Sequence, residues 1–174
     1  ADPPVLLNAR ADSVQHLQEG VPRSTARLMI ACGRRIGAGP LALSQALHTY
    51  LPTPDISRTR LLGLGHSQYM DTLKDWDYFE QEGPVYFDGE TDRIYESAEP
   101  LTLVTPAGKR KLTSVGSDST VVWNPGPEKA LRLSDFPGTG WQKMVCVETA
   151  NAATDYRVLN EGQSHTLGVV IGRG

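Results

Sequence analysis

The chain has 174 residues, of which 39% are hydrophobic and 21% charged, and its formal net charge is −3 with a pI near 5.8. This size suits one domain, which can bury a core without disulfide or metal cross-links. The acidic balance argues against a nucleic acid or an anionic membrane surface as the main partner, because both attract basic proteins.

Short runs of β-branched and aromatic residues follow one another along the chain, with turn residues about every ten positions. They predict strands within residues 27–32, 41–51, 59–65, 84–97, 101–105, 111–117, 119–124, 142–151, 156–162 and 165–171. A short helix is predicted only within Glu128–Phe136, and the basic run Lys109–Lys111 is predicted to be a solvated turn. The pattern predicts an all-β, mostly antiparallel sandwich or barrel, with residues 1–174 forming a single domain.

No apolar run reaches the roughly 20 residues that a membrane-spanning helix requires. The N-terminal residues ADPPVLLNARADS lack the basic and apolar regions of a signal peptide. We therefore expect a cytoplasmic protein that does not bind membranes. The sequence does not indicate an oligomeric state.

The cysteines and histidines show no metal-binding spacing. Cys32 and Cys146 form no C-x-x-C pair, and the four histidines form neither H-x-H nor H-E-x-x-H. We therefore predict no metal site and no cofactor. Each cysteine lies in an apolar run, which favours two buried free thiols over the alternative of one disulfide.

Two side chains stand out as candidates for acid–base chemistry. The sequence has no phosphate-binding glycine loop and no G-x-S-x-G motif, so nucleotide-driven chemistry and serine hydrolysis are disfavoured. His48 lies in the apolar segment ALHTY, and Glu148 directly follows four apolar residues in MVCVETAN. Strand alternation places Glu148 on the same face as Met144 and Cys146, where burial would raise the pKa of its carboxyl.

Polar and aromatic residues suited to a sugar occur in two further segments. The segment DGETDRIY contains Asp92 and Arg93, which can hydrogen-bond to sugar hydroxyls or simply form a charged hairpin. The segment WNPGPEK begins with Trp123, whose ring can stack on a pyranose or belong to the core.

Taken together, these segments resemble the hexose-6-phosphate mutarotases, also called glucose-6-phosphate 1-epimerases, of the aldose 1-epimerase-like superfamily. The resemblance is clearest over residues 39–172. It is carried by five motifs in the family's order: ALHTYL, TDRIY, WNPxxEKAxxxxDF, MVCVETAN and GxSHTLxVVI.

The resemblance implies a large antiparallel β-sandwich of the galactose mutarotase-like type and a reaction without cofactors. It implies that His48 is the general acid, that Glu148 is the general base and that Asp92 contacts the substrate. The expected function is the interconversion of α and β anomers of a hexose 6-phosphate or free aldohexose by ring opening. Arg93 and Lys129 are then the candidate contacts for an anionic substrate group, and Trp123 completes the predicted binding site.

The family's N-terminal segment Gly-Gly-x-Pro…Pro-x-Phe-Gly has no counterpart here, so we expect a sandwich that is incomplete at its N-terminal side. An alternative from another class is a non-catalytic carbohydrate-binding β-sandwich derived from such an enzyme. A purely structural β-domain is a third interpretation, and it requires that His48 and Glu148 lie far apart.

Overall fold

A computed structural model describes residues 39–174, together with the backbone of two strands at Val5–Leu6 and Arg27–Arg34. Almost all of the regular secondary structure in these residues consists of β-strands. In chain order these are β1 Val5–Leu6, β2 Arg27–Arg34, β3 Leu41–Leu47, β4 Tyr50–Pro52, β5 Arg60–Leu62, β6 Gln68–Asp71, β7 Asp77–Glu80, β8 Val85–Tyr86, β9 Thr91–Tyr95, β10 Leu101–Thr105, β11 Gly108–Val115, β12 Ser119–Asn124, β13 Met144–Asn151, β14 Arg157–Leu159 and β15 Ser164–Arg173. One α-helix, α1, spans Gly126–Ala130, and 3-10 turns span Ile56–Arg58, Gly140–Lys143 and Ala153–Asp155.

The strands form two sheets. The nine-stranded sheet runs in the order β1, β3, β13, β12, β9, β6 and β7, with β14 also paired to β3 and β4 also paired to β13. The six-stranded sheet runs in the order β2, β15, β11, β10, β5 and β8. All of these pairings are antiparallel except that of β1 with β3. The predicted all-β, mostly antiparallel architecture is therefore confirmed.

The core lies between the two sheets and is built by strand alternation. Buried side chains from both sheets form one cluster, with Leu47, Tyr95 and Val147 on one side and Leu103 and Leu167 on the other. Every residue of β13 is buried, because the second sheet covers one of its faces and the side chains of neighbouring strands crowd the other. A central strand that is buried on both faces can hold a polar side chain in a fixed environment.

Most predicted strands are present, but the sequence-based prediction was wrong at two places. It missed β6 and β7, which form a hairpin rich in polar and aromatic residues. It also placed the basic run Lys109–Lys111 in a turn, whereas these residues belong to β11. The turn is shorter than predicted, because Thr105 already pairs with Gly108. Lys109 and Lys111 are exposed, whereas Arg110 lies on the face of the buried Leu112 and is partly buried.

The predicted helix is shorter than expected and lies earlier, and Asn124 at the end of β12 fixes its start. The buried Asn124 amide donates to the carbonyls of Trp141 and Met144, both at 2.8 Å. Its side-chain oxygen accepts a 2.9 Å hydrogen bond from the backbone of Gly126. One side chain therefore ties α1 to the 3-10 turn before β13, which sets the position of Lys129 within α1.

Glycine is required at the first residue of α1. Gly126 has φ of 60°, and a Cβ there would lie 2.5 Å from the backbone nitrogen of Glu90. We expect Gly126→Ala to lower the free energy of unfolding by about 1–3 kcal/mol. An alanine would be strained in the left-handed backbone conformation, and the backbone at Glu90 would have to move. The matched control is Gly89→Ala, where a Cβ meets no atom within 4 Å. Equal denaturation midpoints for the two variants would contradict this account.

Candidate active site

His48 and Glu148 face each other across two neighbouring strands. Leu47 pairs with Thr149 and Tyr50 pairs with Cys146, so the same register carries through the two residues between β3 and β4 and places His48 opposite Glu148. The Val147 backbone N–H donates to the Thr49 carbonyl at 3.0 Å, which makes the next pair, His48 with Glu148, a non-hydrogen-bonded one. Side chains approach most closely in such pairs. His48 Nδ1 accordingly lies 3.2 Å from Glu148 Oε1.

The His48–Glu148 pair belongs to a cleft on the face of the nine-stranded sheet that points away from the core. Two rows of side chains cross the strands there, one through His48, Glu148 and Val121 and the next through Tyr50, Cys146, Trp123 and Asp92. The cleft has a volume of about 320 Å³ and is lined by His48, Tyr50, Asp92, Val121, Trp123 and Glu148. It therefore combines an acid–base pair with aromatic rings and a second carboxylate.

The Glu148 carboxylate is buried while its histidine partner is accessible. The side chain of Glu148 is 7% exposed and that of His48 is 53% exposed. Burial is the main cause that raises the pKa of the Glu148 carboxyl. The positive charge of a protonated His48 and a hydrogen bond from Cys146 lower this pKa, and the negative charge of Asp92 raises it further. A carboxylate with a raised pKa is a stronger base than an ordinary glutamate, as a general base requires.

Cys146 lies beneath the pair and is a free thiol. Its Sγ is 3.5 Å from Glu148 Oε1, to which the thiol donates a hydrogen bond. Burial, together with the neighbouring carboxylate, raises the pKa of Cys146, so the group is a thiol at neutral pH. The predicted free thiol is thus confirmed for Cys146, whereas the side chain of Cys32 lies outside the described residues.

Asp92 reaches the cleft from β9 and is linked to α1. Burial is the main cause of the raised pKa of Asp92, and Lys129 partly opposes it. Lys129 Nζ lies 2.9 Å from Glu90 Oε1 and 4.0 Å from Asp92 Oδ2. The backbone of Thr72 donates to the Asp92 carbonyl at 3.0 Å, so the β6–β7 hairpin also supports this edge of the cleft.

Arg93 is not brought to the cleft with the other predicted residues. Asp92 and Arg93 are adjacent in β9, so their side chains point to opposite faces of the sheet. Arg93 Nε lies 3.5 Å from Asp71 Oδ2, and its guanidinium lies 4.8 Å from the centre of the Tyr69 ring. These contacts place Arg93 on the core side.

Sequence reasoning did not name Tyr50, Val121 or Cys146 as residues of the site. Tyr50 packs edge-on against Trp123, with ring centroids 6.4 Å apart. Burial, reinforced by Cys146 and Glu148, raises the pKa of its phenol. Strand alternation placed Cys146 on the face of Glu148 but did not give it a role in the site. Tyr50 would have required the register of β4 against β13.

Two observations bear on what kind of protein this is. The 3.2 Å distance between His48 and Glu148 contradicts the third interpretation, a structural domain in which they lie far apart. Within the part of the chain that the structure describes, no helix has the length and apolar character needed to cross a membrane. Fold and cleft together define an antiparallel β-sandwich that presents a paired acid and base.

Comparison with known proteins gives the family. The sequence model of the family described as "Aldose 1-epimerase" matches residues 33–172, and the chain belongs to this family. A relative from Escherichia coli K12 named "Putative glucose-6-phosphate 1-epimerase" is 30% identical over 131 residues, which is 73% of this chain and 44% of the relative. A relative of the same name from Cenchrus ciliaris is 35% identical over 115 residues, which is 64% of this chain and 35% of the relative. The chain thus spans less than half the length of these relatives.

Solved structures show the same fold. A Salmonella typhimurium protein described as a "putative mutarotase" superposes with a TM-score of 0.73 at 23% identity, over 86% of this chain and 50% of that one. An Escherichia coli K12 protein described as a "Putative aldose 1-epimerase" superposes with a TM-score of 0.66 at 14% identity, over 84% of this chain and 55% of that one. The expected galactose mutarotase-like architecture is therefore confirmed.

The raised pKa of Glu148 makes a prediction about stability. A carboxyl whose pKa is higher in the folded than in the unfolded state stabilises the fold below its unfolded pKa, about 4.3 for glutamate, and this contribution is lost as the pH rises through the folded value. We therefore expect Glu148→Gln to gain stability relative to the parent protein as the pH rises from about 4 to 7. Denaturant unfolding across this range measures the difference.

The control for the loss of one negative charge is Glu80→Gln, which alters a His–Glu pair on the exposed β6–β7 hairpin. A parent protein that gains stability over Glu148→Gln with rising pH would show that the pKa of Glu148 is lowered rather than raised.

Proposed function

We propose that the protein interconverts the α and β anomers of a hexose 6-phosphate or a free aldohexose. The observation that carries the proposal is the cross-strand pair of His48 and Glu148, 3.2 Å apart in a cleft lined by Trp123 and Asp92. Anomer exchange requires one proton to leave the anomeric hydroxyl and one to reach the ring oxygen. The pair supplies one base and one acid for these two transfers.

In the proposed reaction, Glu148 accepts the proton of the anomeric hydroxyl while His48 donates a proton to the ring oxygen. The bond between the anomeric carbon and the ring oxygen breaks, and an open-chain aldehyde forms. Rotation about the bond next to the aldehyde presents its other face to the ring hydroxyl, and reclosure reverses both transfers. The protonation states at the end equal those at the start.

The direct contact between His48 and Glu148 supports the proposed reaction, because it places the acid and the base side by side. A sugar must enter between or beside His48 and Glu148 so that each side chain exchanges its present partner for a sugar oxygen. His48 has the freedom for this movement because half of its side chain is exposed, whereas Glu148 is held by its burial and by Cys146. We infer that His48 adjusts to the substrate while Glu148 stays fixed.

The remaining lining residues suit a pyranose. The rings of Trp123 and Tyr50 offer apolar surface for the C–H groups of the sugar ring, and Asp92 offers an acceptor for its hydroxyls. Glucose 6-phosphate is the substrate in the names of the curated relatives, and we propose it as the preferred sugar here. A cytoplasmic location would fit a phosphorylated substrate and stays a prediction.

Loss of either member of the pair should abolish most of the activity. We expect Glu148→Gln and His48→Ala each to lower the rate of anomer exchange by about 10²- to 10⁴-fold, the usual contribution of a positioned proton donor or acceptor. Saturation-transfer NMR on glucose 6-phosphate, glucose and galactose measures the exchange against the uncatalysed rate.

The matched controls are His66→Ala and Glu80→Gln, because His66 Nδ1 and Glu80 Oε1 form a comparable pair at 3.5 Å on the exposed hairpin. Full activity in Glu148→Gln or in His48→Ala would refute the assigned role. A folded parent protein without any acceleration would point instead to the carbohydrate-binding alternative.

Lys129 is our candidate for attracting the substrate phosphate. Its ammonium is shared between Glu90 and Asp92, and its side chain is one-third exposed. We expect Lys129→Met to raise KM for glucose 6-phosphate roughly two- to fivefold, the range of a partly exposed ion pair. We expect Glu90→Gln to lower it, because that change frees the ammonium. KM for free glucose is the internal control, and an equal change for both sugars would show that Lys129 acts on Asp92 instead.

A further inference from the structure

Three different metal-binding side chains meet in the cleft. They are the imidazole of His48, the thiol of Cys146 and the carboxylate of Glu148, and no two of their ligand atoms are more than 4.8 Å apart. The sequence spacing does not reveal this group, because His48 lies between β3 and β4 whereas Cys146 and Glu148 lie in β13. We propose that these residues bind a thiophilic divalent cation, for which Zn²⁺ is the best fit, and that the bound ion blocks the acid–base pair.

The distances already resemble those of a tetrahedral zinc site. With Zn–N near 2.0 Å, Zn–O near 2.1 Å and Zn–S near 2.3 Å, neighbouring ligands lie about 3.4 Å apart for nitrogen and oxygen and about 3.6 Å apart for oxygen and sulfur. The observed values are 3.2 Å between His48 Nδ1 and Glu148 Oε1 and 3.5 Å between Cys146 Sγ and the same oxygen. The remaining pair, His48 Nδ1 and Cys146 Sγ, lies within 4.8 Å, and movement of the half-exposed imidazole can shorten this distance.

The ligand types select the kind of ion. One nitrogen, one sulfur and one oxygen suit Zn²⁺, whereas Mg²⁺ and Ca²⁺ prefer sites made of oxygen. A thiolate and a carboxylate together neutralise a divalent charge, and the thiol proton leaves to solvent as the metal–sulfur bond forms. Three protein ligands leave a fourth position toward the open cleft. A bound ion would be inhibitory, because it would occupy the lone pairs with which His48 and Glu148 exchange protons in the proposed reaction.

The inhibitory part of this inference rests on the proposed function, whereas metal binding does not. Binding is therefore tested first, on the purified chain, by equilibrium dialysis with Zn²⁺ and by the thiolate-to-metal absorption band of Co²⁺. We expect one ion per chain. We expect Cys146→Ser to lose the Co²⁺ band and to weaken Zn²⁺ binding by about 100-fold or more, since even indirect partners of a ligand contribute about 10- to 100-fold.

Matched variants separate this site from other ligands. Cys32→Ser is the control for the second cysteine, and His66→Ala is the control for a surface His–Glu pair; both should bind as the parent protein does. His48→Ala should also weaken binding, and it alters a half-exposed side chain, so the fold should be kept if the buried Cys146→Ser variant fails to fold. Unchanged binding in His48→Ala, a Co²⁺ band lost in Cys32→Ser, or no binding by the parent protein would overturn the proposal.

The inhibitory consequence is tested on anomer exchange, with each rate expressed relative to the zinc-free rate of the same variant. Zn²⁺ should slow the parent protein and a chelator should restore it, while Cys146→Ser should lose this sensitivity. Binding without inhibition would overturn the blocking of the pair. Binding by a protein that exchanges no anomers would leave the metal site established and would refute the proposed function alone.

Discussion

The carboxylate of Glu148 is held in the middle of a strand that is buried along its whole length, and the rest of the cleft is arranged around it. A buried carboxylate is unstable without partners, and here the cross-strand His48 and the Cys146 thiol supply them. The six-stranded sheet covers the opposite face of β13. The same burial that costs stability raises the pKa of the carboxyl, which makes it a useful base.

Asn124 and helix α1 support the wall of the cleft that contains Trp123 and Asp92. Asn124 follows Trp123 directly and points to the other face of the sheet, where it joins α1 to the turn before β13. The helix in turn carries Lys129 to the carboxylates of Glu90 and Asp92. The position of the helix and the charge beside Asp92 therefore depend on one buried amide. The hydrogen bonds of this buried amide satisfy its donor and acceptor groups, as burial of a polar side chain requires.

Local patterns predicted much of this arrangement, and its limits have physical causes. Strand alternation placed Glu148 on a face with Cys146, and the motif resemblance identified His48 and Asp92. The same alternation excludes Arg93 from the face of its neighbour Asp92, so that prediction neglected a constraint already present in the sequence. The distance between His48 and Glu148 could not be derived, because strand register depends on long-range pairing. The hairpin of β6 and β7 was missed because its polar residues obscure the alternation.

The pairing of β3 and β4 with β13 also has a consequence for folding. His48 and Glu148 lie about 100 residues apart in the chain, and every strand from β5 to β12 lies between them. Closing so long a loop is slow, and the contacts that offset its entropy cost form only when the intervening strands are in place. A partly folded chain can therefore carry native hairpins, such as β6 with β7 or β10 with β11, without an assembled acid–base pair. The cleft with its His48–Glu148 pair should accordingly assemble at the end of folding, together with the docking of the central strand.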